Sequence, residues 1–378
     1  LAKQKSKDGQ LQEAKNICTD ILQKFPKNKQ ALTVIQTLAE AYNSIANAQM
    51  QKGDSEAAID SYKQAISIEP DYAEAYYNIA ILLENNGNPD AAIDSYKRVL
   101  KIIPNYAGAY NNIGNIQKGM GDFEAAINSY SWAVSIKPDY AEAYYNLGLA
   151  QHDKGDLKAA IDSYNHALKI KPEYAEAYNN IGNALKDKGE LEAATGYYKQ
   201  ALKIKPDYAN AHYNMGNALK DKGELEAAID SYKQALKILP NYFEAYSNMG
   251  VVLKDSGLLE AAIDCYQRVL KIRPNYAEAY HNMGIALTEK GDLETAMESY
   301  KRAINIEPKH ADAHINKAFL HLRLLDFEAG WLSYEWRWKV SKDRPQFLKT
   351  SKPLWKPLMK QRVLLWGEQG LGDEIMFA

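Results

Sequence analysis

The sequence has few cysteines, no long apolar run and no apolar signal core. Its 378 residues include only two cysteines, Cys18 and Cys265. Isolated cysteines within helical sequence indicate small packing residues in a reducing compartment, not a disulfide framework. No segment approaches the roughly 18 apolar residues that a transmembrane helix needs, and the N-terminal LAKQKSKDGQ lacks the apolar centre of a signal peptide. These absences predict a cytoplasmic protein without membrane insertion.

An excess of either charge is also missing. The chain has 46 lysines and arginines against 48 aspartates and glutamates, for a net charge of −2. Such a balance gives no bulk attraction to nucleic acid or to an anionic membrane. The lysine-rich turns also contain acidic residues, so we expect no nucleic-acid partner.

Two residue types recur at a fixed interval of 34 residues. Glycine occupies positions 53, 87, 121, 155, 189, 223, 257 and 291, and proline occupies 70, 104, 138, 172, 206, 240, 274 and 308. The segments between them have the length of a helix, with apolar residues three and four positions apart. Glycine permits a turn after the first helix and proline ends the second. The repeated unit is predicted to be a pair of antiparallel helices.

Small residues in each unit would let the two helices approach closely. In residues 175–208 these are Gly182 in the first helix and Ala194 in the second, with tyrosines beside them. The order of aromatic, aliphatic and small residues, then alanine, aromatic, alanine and proline, resembles the tetratricopeptide repeat. The resemblance covers about nine-tenths of the chain. It implies an all-α fold, a right-handed superhelical solenoid of antiparallel helix pairs whose first helices line the concave side.

Most of the 27 tyrosines belong to the repeat. One position holds Tyr76, Tyr110, Tyr144, Tyr178, Tyr246 and Tyr280, and a second holds Tyr96, Tyr130, Tyr164, Tyr198, Tyr232, Tyr266 and Tyr300. We interpret both positions as core.

Asparagine occupies the same position of the first helix in eight successive repeats, although it is a mediocre helix former. These residues, here called the asparagine ladder, are Asn78, Asn112, Asn146, Asn180, Asn214, Asn248, Asn282 and Asn316. At 100° per residue the position lies nearly opposite the apolar stripe, so it should face away from the core. An amide offers both a donor and an acceptor, which match the N–H and C=O of a peptide backbone. The ladder is therefore predicted to bind extended polypeptide, unless it is only a polar, solvated position copied by duplication.

Residues around the ladder vary between repeats. Further amides stand one turn on, at Asn115, Asn183 and Asn217, and lysines occupy another shared position, at Lys186, Lys220 and Lys254. A third position alternates between tyrosine and Asn111, Asn179, Ser247 or His281. We expect this variation to set side-chain preference in a bound peptide. Glutamates at other ladder-side positions argue against the carboxylate-clamp type of repeat.

The ends of the chain depart from the pattern. Residues 1–38 are predicted to form a partial repeat plus a ten-residue insertion that lengthens a helix, and 39–310 to form eight repeats. Residues 311–340 would be a degenerate capping repeat, because Leu325 stands where glycine is expected and Lys317 replaces an aliphatic residue. Residues 341–361 are predicted to form a proline-rich linker, and residues 362–378 to form a strand, a glycine turn and a helix start.

The last segment lacks both the dinucleotide fingerprint and the Walker A motif. Its EQGLGD sequence resembles the start of a glycosyltransferase-like domain in bacterial tetratricopeptide proteins. Gly372 and Asp373 are similar to a Gly-Asp pair in heptosyltransferases, which implies that Asp373 is a catalytic base in the parent protein. A plain helix cap at Asp373 is the alternative.

Catalytic carboxylate pairs and nucleophile–base combinations are not evident. His310, His314 and His321 have helical spacing, but the first two stand where other repeats have tyrosine. No further ligand lies at a recognised motif spacing, so we expect no metal site. We also expect no cofactor in this chain, although a transferase parent would use a nucleotide sugar.

Two functions fit these patterns. The long array resembles the repeat arm of O-GlcNAc transferase, which implies a chain that recruits polypeptide acceptors for a glycosyltransferase and transfers no sugar by itself. The alternative is a non-catalytic scaffold that binds proteins, or that self-associates through the uncapped N-terminal half-repeat.

Overall fold

The computed structural model describes residues 13–337, with the exception of residues 14 and 18. The predicted linker, the predicted strand–turn–helix segment with Asp373, and Cys18 lie outside these residues. The chain divides into two compact units, Leu1–Asn214 and Met215–Ala378.

Eighteen α-helices follow one another between residues 29 and 334. They are α1 (Lys29–Gln51), α2 (Ser55–Ile68), α3 (Ala73–Asn85), α4 (Pro89–Ile102), α5 (Ala107–Gly119), α6 (Phe123–Ile136), α7 (Ala141–Lys154), α8 (Leu157–Ile170), α9 (Ala175–Asp187), α10 (Leu191–Ile204), α11 (Ala209–Asp221), α12 (Leu225–Ile238), α13 (Phe243–Asp255), α14 (Leu259–Ile272), α15 (Ala277–Lys290), α16 (Leu293–Ile306), α17 (Ala311–Arg323) and α18 (Phe327–Tyr334). Odd-numbered helices are the first members of their pairs, and even-numbered helices are the second.

The predicted solenoid of helix pairs is confirmed. Helices α2 to α17 each have 13 or 14 residues, and within each unit a second helix packs both on its own first helix and on the next one. The ten-residue insertion lengthens a single helix, because α1 has 23 residues. The described part of the chain contains no β-strand. None of its helices is long and apolar enough to cross a membrane.

A fully buried tyrosine in each second helix forms the centre of each pair. Tyr198 is 0% exposed, and its ring lies directly on Gly182 of the facing helix. A Cβ atom added to Gly182 would lie 2.6 Å from Cε1 of Tyr198, so the missing side chain makes room for the ring. The same arrangement recurs at five other glycines of the first helices. This tyrosine position is therefore core, as predicted.

The other repeated tyrosine position is only half-buried, so the prediction that it belongs to the core is wrong. Two of its rings stack on side chains of the second helix. The ring centroids of Tyr144 and His166 are 5.2 Å apart, and those of Tyr110 and Trp132 are 6.1 Å apart. Trp132 remains 60% exposed.

The turns follow from two local preferences. Gly155 adopts a left-handed backbone with φ of 90°, and Asp156 then caps α8 by accepting a hydrogen bond from the Ala159 N–H at 3.1 Å. Leu325 takes the place of the glycine in the last turn with φ of 63°, a conformation that costs a residue with a Cβ about 1–2 kcal/mol. Burial, and then nearby Lys301, lowers the pKa of Lys317. The last helix pair therefore differs from the others at Leu325 and Lys317, the two positions that the sequence indicated.

Cys265 behaves as a small apolar residue. Its side chain is 5% exposed and unpaired with any other cysteine. Burial, and then nearby Asp264, raises the pKa of the Cys265 thiol to about 12. A thiol that stays protonated at neutral pH is a poor nucleophile and a poor metal ligand.

Candidate functional site

The asparagine ladder lies on the first helices. Within each unit the first helices of several successive pairs contact one another, for example α5 with α7 and α13 with α15. Their shared surface is here called the first-helix face. All eight ladder residues are half-buried. The expectation that they face away from the core is therefore only partly right, because each side chain also lies against protein atoms.

In the first unit two ladder amides donate to tyrosine hydroxyls. Nδ2 of Asn112 lies 3.0 Å from the hydroxyl of Tyr77, on the preceding first helix, and 3.0 Å from the hydroxyl of Tyr96. Nδ2 of Asn180 lies 3.0 Å from the hydroxyl of Tyr145. Each of these amides thus connects two successive repeats.

The intervening ladder amides make the same connection to a different partner. Asn146 donates to Oδ1 of Asn111 at 3.1 Å, and Asn214 donates to Oδ1 of Asn179 at 3.1 Å. Both acceptors are buried side chains at the position where Tyr77 and Tyr145 stand in neighbouring repeats. The position that alternates between tyrosine and asparagine in the sequence thus offers either a hydroxyl or an amide oxygen as the acceptor. A ladder asparagine can donate to both.

Three further ladder residues also bond on the first-helix face. Asn78 donates to Asn47 at 3.4 Å in the first unit. In the second unit Asn248 donates to Asn217 at 2.8 Å, and Asn282 donates to Glu278 of its own helix at 3.2 Å. These hydrogen bonds give a structural reason for the repeated asparagine, which the helix propensity of asparagine alone did not reveal.

The additional amides have a second structural role that sequence reasoning missed. Oδ1 of Asn115 accepts the hydroxyl of Tyr130 at 2.7 Å, and Oδ1 of Asn183 accepts that of Tyr198 at 2.8 Å. In the second unit Asn217 accepts the hydroxyl of Tyr232 at 2.8 Å. These amides satisfy buried core hydroxyls, which would otherwise be costly. Their constant 15-residue offset from the core tyrosine was the available signal.

One buried core hydroxyl is an exception. The hydroxyl of Tyr266 is buried and makes no hydrogen bond to any residue that the structure describes. Val251 stands 15 residues before it, at the position that Asn115, Asn183 and Asn217 occupy in other repeats. The hydroxyl of Tyr300 faces a similar replacement, Ile285, but lies 3.2 Å from the hydroxyl of Thr288.

Val251→Asn is expected to stabilise the second unit. The new amide would accept the orphaned Tyr266 hydroxyl, and we expect a gain of about 1 kcal/mol in the free energy of unfolding. Urea denaturation of the variant, with hydrogen exchange of α13 and α14, measures the gain. Ile285→Asn is the matched control, because Tyr300 already has a partner and no gain is expected. Equal changes in the two variants would contradict the assignment.

The predicted lysines lie on the same helices but are paired with acids. Nζ of Lys186 is 3.1 Å from the Asp187 carboxylate, and Nζ of Lys254 is 2.7 Å from that of Asp255. Lys220 lies 3.4 Å from its own following aspartate. The lysine side chains are about one-quarter to one-third exposed, and the row has little net charge. It is therefore suited to polar contacts more than to strong attraction of an acidic peptide.

In the first unit two tyrosines that precede first helices each contact a tyrosine next to the ladder in sequence, and these four rings are here called the tyrosine patch. Sequence reasoning did not single out the two preceding tyrosines. The ring centroids of Tyr77 and Tyr106 are 5.4 Å apart, and those of Tyr145 and Tyr174 are 4.9 Å apart. Burial, followed by neighbouring Tyr145 and Glu176, raises the pKa of Tyr208 to about 12. Its hydroxyl stays protonated at neutral pH. The recurrence of tyrosine two residues after the repeat proline was the available signal.

Successive helix pairs with a tyrosine–glycine contact and a shared first-helix face define a helical repeat protein. Residues 1–245 match the family model described as the cilia and flagella-associated protein 70 C-terminal domain. Residues 241–309 match the tetratricopeptide repeat model. Since the first of these matches covers more than half of the chain, the chain belongs to the tetratricopeptide repeat family that its model describes. None of the curated proteins compared with it matches.

Three of the solved structures that match the chain do so with TM-scores below 0.5. A crystal structure of MamA is 31% identical, with a TM-score of 0.42 over 46% of this chain and 94% of that one. YrrB, described as "a TPR protein with an unusual peptide-binding site", is 25% identical, with a TM-score of 0.44 over 52% of this chain and 97% of that one. PilF of Pseudomonas aeruginosa is 20% identical, with a TM-score of 0.47 over 55% and 94%.

Proposed function

We propose that the chain is a protein-interaction scaffold whose first-helix face binds extended polypeptide through the peptide backbone. The observation that carries the proposal is the row of half-buried ladder amides, each held by hydrogen bonds to neighbouring side chains. An amide nitrogen has two hydrogens and the amide oxygen two lone pairs. A single donation, as from Asn146 to Asn111, therefore leaves one N–H and the oxygen for a peptide C=O and N–H. Asn112 donates twice, to Tyr77 and to Tyr96, so only its oxygen can bind a peptide N–H.

Fixed amides favour binding because their conformational entropy is already lost before the peptide arrives. Packed helices lie about 8–10 Å apart, and an extended chain advances about 3.3 Å per residue. Successive ladder residues would then contact about every third residue of a peptide. Four of them within one unit require a peptide of at least about nine residues.

Side-chain preference would come from the surroundings of the ladder. The tyrosine patch of Tyr77, Tyr106, Tyr145 and Tyr174 offers aromatic surface to apolar side chains. The paired Lys186 and Asp187 offer both a donor and an acceptor to polar ones. Family membership agrees with this proposal, since repeat solenoids use extended surfaces for binding.

The proposal is tested with a panel of unstructured twelve-residue peptides, measured by fluorescence polarisation against the purified chain. For a peptide that binds, scrambling its sequence should change Kd by less than about tenfold, since most of the affinity comes from the backbone. N-methylation of alternate residues, which removes half of the backbone N–H groups, should weaken binding by more than scrambling does. Binding that survives N-methylation but not scrambling would overturn the proposal.

The finer proposal is that this scaffold recruits acceptors for a glycosyltransferase, with a nucleotide sugar as donor. It is supported only by the sequence of residues 362–378, which lies outside the described part of the chain. Its test is nucleotide-sugar transfer by the full-length protein, which Asp373→Asn should abolish. Peptide binding without any transfer would favour the non-catalytic alternative.

A further inference from the structure

Two histidines and a glutamate meet between α15 and α17 in the second unit. Glu278 and His281 are one turn apart on α15, and His310 is the residue that caps the start of α17. Nε2 of His310 lies 3.3 Å from Oε2 of Glu278, and Nδ1 of His281 lies 4.0 Å from Oε1. One ligand atom from each residue can be chosen so that all three lie within 4.8 Å of one another.

The two imidazoles are buried, and one nitrogen lacks a partner. His281 is 7% exposed and His310 is 9% exposed. Nδ1 of His281 is buried, points to the carboxylate, and makes no hydrogen bond to any described residue. A buried polar atom without a partner is costly, so its orientation toward a carboxylate and a second imidazole calls for an explanation.

The junction differs from the others at two repeat positions. His310 stands where the preceding repeats have tyrosine, for example Tyr276, and His281 stands where they have tyrosine, asparagine or serine, for example Asn179. The sequence alone pointed to His310 and His314 as a pair and found no third ligand. In the structure His314 instead stacks on Trp336 at 3.7 Å between ring centroids. The partners of His310 come from 29 to 32 residues earlier in the chain.

Two imidazole nitrogens and a carboxylate oxygen are ligands that Zn²⁺ prefers, at about 2.0–2.2 Å. In a tetrahedral site such ligand atoms are about 3.3 Å apart, given those bond lengths. The His310–Glu278 pair already has this separation. The three ligand atoms lie within 4.8 Å of one another, so the widest separation must close by at most about 1.5 Å. A water would complete the coordination.

The surrounding hydrogen bonds can adapt to a bound ion. A metal on Nδ1 of His281 places the proton on Nε2, which lies 2.9 Å from the amide of Asn316. After the Asn316 amide exchanges the positions of its oxygen and nitrogen, its oxygen accepts a hydrogen bond from this Nε2–H, which gives the oriented histidine typical of metal sites. A metal on Nε2 of His310 places a proton on Nδ1, so the long 3.3 Å bond from the Ala313 N–H is lost. Asn282 continues to donate to Glu278.

We propose that Glu278, His281 and His310 bind one Zn²⁺ ion and that this ion joins α15 to α17. The test uses the purified full chain without an affinity tag, with Co²⁺ as a spectroscopic substitute and Zn²⁺ in calorimetric titrations. We expect one ion per chain, Co²⁺ absorption bands of tetrahedral intensity, and their loss when Zn²⁺ is added. Zn²⁺ should also raise Tm, because it binds the folded state.

Two variants restore residues that other repeats contain at these positions and should therefore fold. His310→Tyr and His281→Asn should each weaken Zn²⁺ binding at least tenfold and remove the Tm shift. His321→Ala is the matched control, because His321 pairs with Asp326 elsewhere and its loss should leave binding unchanged. The proposal is overturned if the parent chain binds no stoichiometric Zn²⁺, or if His310→Tyr binds it as tightly as the parent does.

Discussion

Tyr198→Ala is expected to lower the free energy of unfolding by about 3–5 kcal/mol, the usual cost of removing a buried aromatic ring. Tyr198 is 0% exposed, lies on Gly182 and donates its hydroxyl to Asn183 at 2.8 Å. Because Gly182 has no side chain that could fill the space, the cavity cannot be closed locally. The amides of α9 and α10 should exchange with solvent much faster than in the parent chain.

Hydrogen exchange resolved by helix is the appropriate measurement, since long repeat arrays do not unfold in one step. Tyr197→Ala is the matched control, because this neighbouring tyrosine is only half-buried. Tyr198→Phe keeps the ring and loses one hydrogen bond, so about 0.5–1.5 kcal/mol is expected. If Tyr198→Ala loosens α9 and α10 no more than Tyr197→Ala does, the tyrosine–glycine contact is not the centre of the pair.

Replacing four ladder residues of the first unit with alanine is expected to weaken peptide binding at least about thirtyfold. The residues are Asn112, Asn146, Asn180 and Asn214. Four net hydrogen bonds of about 0.5–1.5 kcal/mol each give at least 2 kcal/mol, and 1.4 kcal/mol corresponds to a factor of ten. The loss should be similar for peptides of unrelated sequence, because the amides are proposed to contact the backbone.

Stability has to be separated from binding, because these amides also connect repeats. Tyr77→Phe combined with Tyr145→Phe removes the hydroxyls to which Asn112 and Asn180 donate but keeps the amides. This double variant should lose some thermal stability and retain most of its peptide affinity. Asn128→Ala, at an exposed position of the second helix α6, should change neither property. If the tyrosine variant loses as much affinity as the asparagine variant, the ladder serves only the fold.

The order of the helices could be predicted from the sequence because the same glycine, proline and apolar spacings recur from repeat to repeat. Glycine and proline at 34-residue intervals give the turns, and a single insertion gives the long α1. Tyr198 could also be placed in the core from its spacing to alanine. The edge position of Tyr144 could not, because a helical stripe is wide and only packing decides which of its residues is covered.

The sequence predicted the positions of the candidate site residues but not their hydrogen-bond partners. Spacing places Asn180 on the first helix with seven equivalents, but it does not reveal that the amide donates to Tyr145, 35 residues earlier. It also gave no reason to connect Asn183 with the Tyr198 hydroxyl. These partners depend on which side chains meet after two helices have packed.

The sequence by itself determined the repeat, the helix pairs, the glycine turns and the identity of the ladder, since all of these follow from periodicity and backbone preference along one helix. Only the tertiary structure decided what the polar side chains contact. It placed Asn146 against Asn111, left the Tyr266 hydroxyl without a described partner, and brought His310 to Glu278 instead of to His314. The physical reason is range: a backbone preference acts within a few residues, whereas a side-chain hydrogen bond requires two atoms within about 3.5 Å, whatever their separation in sequence.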